Sequence, residues 1–166
     1  IYSDGRVDIA ERIRSVVAEG VDVAVATDHN YLIDYQPVLK KLGLNNYLAT
    51  LVGNEVTTGG VIHFNTYPLI YREDEERNGA IPPHRETASP LFRESRKKDP
   101  EALLQVNHPR SGTIGYFNNC ELDPELASNA KNNLDLNFDV LEALNGPYFY
   151  SSNEQSIKDL FNLINR

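Results

Sequence analysis

Methionine and tryptophan are missing from this 166-residue chain, and cysteine occurs once, at Cys120. A single thiol cannot close an internal disulfide or form a Cys-x-x-Cys pair, so disulfide scaffolds and thiolate metal knots are excluded. No stretch approaches the ~20 consecutive apolar residues of a membrane-crossing helix. The residues present contain no basic-apolar-small leader, so the domain is expected to be soluble, with any targeting signal outside these residues. The net charge of −8 leaves no clustered Lys and Arg for a nucleic-acid surface. Also missing are a Gly-x-Ser-x-Gly elbow, a Walker-type phosphate loop and a Rossmann glycine fingerprint. There is no internal repeat and no low-complexity segment.

What is present suits one globular domain over residues 1–166: 40% hydrophobic, 24% charged, with 10 Gly and 9 Pro. Ile1 opens in mid-motif and Arg166 stops in what reads as a helix end, so the domain is expected to be a fragment, incomplete at both ends. The pivotal stretch is Val21-Asp22-Val23-Ala24-Val25-Ala26-Thr27-Asp28-His29-Asn30. A short run of small and β-branched residues reads as a strand buried on both faces. It ends in polar, metal-competent side chains, and α/β folds place their chemistry at such carboxyl ends.

Around it the pattern alternates. Asp8 is placed as an N-cap with Glu11 for a capping box, and Ile9, Ile13, Val16 and Val17 fall on one helical face stopped by Gly20. A short helix over Val38 to Leu42 ends at Gly43. Strands are expected over Thr50 to Val56 and Val61 to Tyr67, with Gly59-Gly60 turning the chain between them. Arg72 to Pro100 is polar and Pro-broken, with a charge run at Arg72 to Arg77 that reads as a solvated face and a helix from Ser89-Pro90 to about Lys98. The stretch has the length of a lid over a site. Leu103 to Asn107 reads as a strand, followed by a loop with Gly112 and Gly115 and a weak helix after Pro124. A last strand over Asp139 to Leu144 is closed by Asn145-Gly146-Pro147. Ser152 and Gln155 then suggest a capping box for a helix carrying Ile157, Leu160, Phe161 and Ile164. Strands alternating with helices predict a parallel sheet or barrel of βα units.

Asp4, His29, Glu55, His63 and His108 each fall at a strand end or on a turn beside one. In a βα barrel those ends converge on one face, which would let them share a site. Imidazole and carboxylate donors suit Zn²⁺, Mn²⁺ or Fe²⁺, and mixed sets are typical of catalytic centres. A carboxylate such as Glu55 can bridge two cations ~3.5–4 Å apart, a geometry that supports hydrolysis by a metal-bound hydroxide. Each His taken alone is more often a satisfied polar residue than a ligand. His84, in the Pro-rich segment, is left out of the site.

Ser3-Asp4-Gly5, a helix, then Thr27-Asp28-His29-Asn30 resembles the first two motifs of the PHP (polymerase and histidinol phosphatase) superfamily. Gly53-Asn54-Glu55-Val56-Thr57-Thr58 with His63-Phe64-Asn65 resembles its third. Asn107-His108-Pro109 and Leu141-Glu142-Ala143-Leu144-Asn145-Gly146 are similar to later ones. The Glu-Val-Thr-Thr wording is similar to the carbaryl-hydrolase-like branch of metal-dependent phosphoesterases. The resemblance spans nearly the whole chain in the family's order. It implies a distorted (β/α)7 barrel holding two or three divalent cations, here missing its first strand and its C-terminal part. It also implies Glu55 as bridging carboxylate, with His63 and His108 completing one cation's ligands, and Asp4 and His29 part of another's. Glu55 and His108 are then the residues closest to catalysis. The family's His-x-His and Asp-x-His pairs would lie before Ile1 and after Arg166, so the fragment itself is expected to lack complete sites.

Further candidates lie at the rim. Asp28 could orient an imidazole or cap its strand. Asn30 and Asn107 flank ligands but could equally satisfy turns. Arg110 is placed to meet an anionic oxygen in bidentate fashion, or to form a surface salt bridge. The leading function is a phosphoesterase acting on a small, anionic substrate. The alternatives are a carboxyl-ester, amide or carbamate hydrolase on the same site, or a degenerate binding domain.

Overall fold

Asp8 does cap the first helix. Its Oδ1 accepts the Glu11 N–H at 2.9 Å, and α1 runs over Ile9–Ala18 before the chain turns at Gly20, φ 72°. Glu11 does not complete the reciprocal box; its carboxylate pairs with Arg14 instead. The computed structural model describes residues 3–58, 62–83, 87–126, 134–146 and 150–165. Strand β1 (Val23–Ala26) follows, then α2 (Gln36–Lys41), β2 (Ala49–Val52), β3 (Asn54–Thr57) and β4 (His63–Tyr67). A 3₁₀ turn at Glu76–Gly79 leads to α3 (Ala88–Lys98) and β5 (Leu103–Val106). The chain closes with α4 (Tyr116–Asn119), β6 (Val140–Leu141) and α5 (Tyr150–Ile164).

The strands form two small sheets, not a closed (β/α)7 barrel. One is the parallel pair β1–β2; the other has the order β3–β4–β5–β6, with β3–β4 and β4–β5 antiparallel and β5–β6 parallel. The expectation of a PHP-type barrel is overturned here, and the reason is connection length. A parallel crossover needs about a dozen residues or more, whereas only residues 58–62 separate β3 from β4, so the chain doubles back.

The strand expected over Thr50 to Val56 splits at Gly53. A Cβ there would lie 2.9 Å from Val25 Cγ1 and 3.1 Å from the Thr66 carbonyl, so only glycine lets β1 and β4 close on the chain at this point. Backbone pairing nevertheless continues across the split. Gly53 N–H donates to Ala26 O at 2.9 Å, Glu55 N–H to Asp28 O at 3.1 Å, and Asn30 N–H to Glu55 O at 2.9 Å. The continuation of β1 thus runs beside β3 through one parallel bridge, His29 with Glu55.

Other expectations move as well. The last strand shrinks from the expected Asp139 to Leu144 to two residues. The described residues after Pro124, as far as Leu126, form a turn rather than the start of a helix. The helix of that region is α4, which lies earlier and begins directly after Gly115. Helix α5 is already helical at Tyr150, so Ser152 and Gln155 lie inside it and cannot cap it; the Ser156 hydroxyl donates to Ser152 O. Gly59, Gly60, Val61, His84 and Pro147 lie outside the described residues. Among the described residues no helix is long and apolar enough to cross a membrane.

Two main cores carry this frame. Ile13, Ala26, Tyr35, Leu39 and Leu48 pack α1 and α2 on β1. The larger core covers one face of the four-stranded sheet with Val56, Phe64, Leu91, Phe92, Leu104, Val106, Tyr116 and Phe117. Phe64 is its hub, with ring centroids 4.8 Å from Phe92 and 5.3 Å from Tyr116 in edge-to-face contact. Phe64→Ala is expected to lower unfolding free energy by about 3–5 kcal/mol. Urea denaturation checks this; a loss below about 1 kcal/mol would place the ring outside a packed core.

Candidate metal centre

The alternation of β3 turns Glu55 and Thr57 to one face while Asn54 and Val56 are buried on the other. Register then sets neighbours: Glu55 faces Asn65 and Thr57 faces His63 across the β3–β4 ladder. His63 therefore sits diagonally opposite Glu55, within reach of a long side chain. The Asn107 N–H donates to His63 O at 3.1 Å, which extends the β4–β5 pairing and delivers His108 beside His63.

The result is a convergence of three donors. Glu55 Oε1 lies 3.2 Å from His63 Nδ1 and 4.0 Å from His108 Nε2, and the two imidazole nitrogens are 3.1 Å apart. A tetrahedral cation with N and O ligands at ~2.0–2.1 Å sets its donors ~3.3 Å apart, so this spacing fits one. Residues as distant along the chain as Glu55 and His108 offer ligand atoms within 4.8 Å of one another. Their protonation suits the role too. Burial works to raise the Glu55 carboxyl, but the hydrogen bond from His63 and the His29 and His63 imidazoles outweigh it and hold it below the ordinary value. Burial first, then His63, pushes His108 down, so its neutral form is favoured. A carboxylate anion and a neutral imidazole are the forms that bind metal.

His29 and Asp4 continue the chain of contacts outward. His29 Nδ1 lies 2.6 Å from the Thr57 hydroxyl and 3.4 Å from Glu55 Oε2, and its Nε2 lies 3.2 Å from Asp4 Oδ2. Glu55 thus offers one oxygen to His63 and the other to His29, the posture of a carboxylate that can serve two ions. Asp4 is 95% exposed, so its side chain is held by little else. Beneath Glu55 a polar row is satisfied internally. Asn107 donates to Asn65 at 2.9 Å and accepts from Gln105 at 3.0 Å, and the Tyr67 hydroxyl donates to Gln105 at 2.7 Å.

Asp28, Asn30 and Arg110 have other duties. Asp28 is buried, and its carboxylate accepts the Tyr35 hydroxyl at 3.3 Å rather than orienting an imidazole; burial raises its pKa. Asn30, at φ 52°, brackets Thr57 with both ends of its amide: Oδ1 accepts Thr57 N–H at 2.9 Å and Nδ2 donates to Thr57 O at 3.0 Å. It mimics a further strand residue, which is a structural task. Arg110 is not free for an anionic substrate. Its Nε and Nη2 hold the two Asp159 oxygens at 2.6 and 2.8 Å, its Nη1 donates to Leu122 O at 3.0 Å, and both charged groups are buried. This ion pair ties α5 to the loop after His108.

Sequence reasoning passed over Thr57 and Glu142. Glu142 follows β6, and its Oε2 accepts the backbone N–H of His108 and, at 3.0 Å, the Asn145 amide. No local signal marked Glu142, which fell inside the strand expected over Asp139 to Leu144, whereas β6 ends at Leu141.

Removing Asp159 leaves the Arg110 charge buried without this partner, so Asp159→Ala is expected to cost about 3–5 kcal/mol, with most of the loss restored in the double variant Arg110→Met, Asp159→Leu. Chemical denaturation of the single and double variants reads this directly; a single variant as stable as the parent contradicts a structural pair. No family model matches the chain, and no curated protein and no solved structure matches it either.

Proposed function

We propose that this chain carries the metal centre of a hydrolase related to the PHP superfamily, in which Glu55, His63 and His108 hold one divalent cation. Asp4 and His29 contribute to a second through the other oxygen of Glu55. The observation that supports this reading is the meeting of one carboxylate oxygen and two imidazole nitrogens at ligand spacing. The order of motifs along the sequence agrees with it.

Zn²⁺, Mn²⁺ or Fe²⁺ held by Glu55, His63 and His108 would supply Lewis acidity and positive charge at the site. The chain's own residues do the rest. Glu55 stays anionic, because the surrounding imidazoles hold its pKa down. His108 stays neutral, because its pocket disfavours the imidazolium. His63 and His29, with Asn107, set where the Glu55 carboxylate points, and the outer side, where Asp4 is exposed, is open to a small molecule. A phosphate ester is the substrate class we assign, since a second cation on the free oxygen of Glu55 would add the positive charge that a phosphoryl group calls for.

Titration calorimetry with Zn²⁺ and Mn²⁺ tests the centre. Glu55→Gln is expected to weaken binding by more than the ~10–100-fold that outer partners of a metal site are worth. Hydrolysis of p-nitrophenyl phosphate with added metal tests the substrate class. Dominant turnover of p-nitrophenyl acetate would move the assignment to carboxyl esters, amides or carbamates. A parent protein that binds no transition metal, and is indifferent to Glu55→Gln, would be a binding domain.

A further inference from the structure

His108 stands in a conformation that a non-glycine residue does not choose unaided. Its φ is 30°, in the left-handed region, and its position just past β5 turns the imidazole toward Glu55 and His63. Such strain persists only where surrounding contacts over-determine it. A ligating imidazole is ordinarily oriented through its second ring nitrogen, hydrogen-bonded to a carboxylate, carbonyl or water. Here that route is missing, because His108 Nδ1 is buried and has no hydrogen-bond partner among the described residues. Apart from the contact of its Nε2 with His63, the ring is then left to be aimed through the backbone.

One group is placed to impose it. The Glu142 carboxylate accepts the His108 N–H, a charge-assisted bond from a residue 34 positions away, and is itself steadied by the Asn145 amide. The backbone ladder brings Glu142 there: β6 pairs parallel to β5, with Leu141 opposite Val106, and the Glu142 N–H donates to Val106 O at 2.9 Å. Glu142 and the segment before His108 are thus linked in both directions, backbone to backbone and side chain to backbone.

We propose that Glu142 is a positioning residue for the metal centre: by gripping the His108 amide it holds the left-handed turn that points the imidazole at Glu55 and His63. The inference rests on the metal reading above, but its first consequence is independent of any cation. In the metal-free protein the His108 amide proton resonates downfield and exchanges slowly; Glu142→Asp, which withdraws the acceptor by one methylene, abolishes both, and Glu142→Gln, which keeps an acceptor oxygen in place, retains the protection. Circular dichroism and thermal melts check that both variants are folded.

Cobalt supplies the second readout. In the Co²⁺-loaded protein, Glu142→Asp is expected to weaken cobalt affinity ~10–100-fold and to alter the visible d–d spectrum, with Glu142→Gln close to the parent. If the His108 amide is unchanged in Glu142→Asp, the proposal is overturned whatever the metal does. It is equally overturned if the amide responds but cobalt affinity and spectrum match the parent. If the amide responds and the parent itself binds no cobalt, the clamp on His108 stands and the metal reading falls.

Discussion

The structure depends on the run of parallel backbone hydrogen bonds that passes from β1 onto β3 where the chain bends at Gly53. Above the bend the pairing joins β1 to β2 over the smaller core; below it, one bridge joins His29 to Glu55 beside the larger core. Without that continuity the two sheets would be separate objects, and the outer pair of candidate ligands would have no fixed relation to the inner three. Asn30 closes the end of the run with its side-chain amide, so the ladder stops where the imidazole and carboxylate must leave the plane.

Building outward from that ladder explains why chemistry gathers on one face. Strand alternation turns Val56, Phe64 and Val106 into the apolar layer beneath α3 and α4. The residues between them, Glu55, Asn65 and Gln105, stand in one cross-strand row on the opposite face. The polar members satisfy each other, which holds them in place without relying on solvent. Glu55 stands at one end of that row, its two oxygens turned to His63 and His29.

How much of this was legible beforehand differs by level. Glu55, His63 and His108 could be picked out because each combines a metal-competent side chain with the end of an apolar run, a local signal that survives whatever the wider topology does. The helix over residues 88–98 and the Asp8 cap were legible for similar reasons, being written in adjacent residues. Topology was not. Alternating strands and helices suggested uniform βα units, but the direction of β4 is decided by the few residues available after Thr57, a constraint that periodicity does not register. For Arg110 a salt bridge was one of two readings, but its partner and its burial were hidden: Asp159 is 49 positions away, and nothing local distinguishes a buried guanidinium from a free one. Glu142 was overlooked because its task is performed on a backbone amide, which no side-chain pattern records.

The Arg110–Asp159 tether also bears on the order of assembly. A loop pinned by a residue so much later in the chain cannot take its final shape while that residue is still being synthesised. The larger core draws on the same helix, which packs Leu163 against it, so the turn carrying His108 and that core are closed by one late segment of the chain.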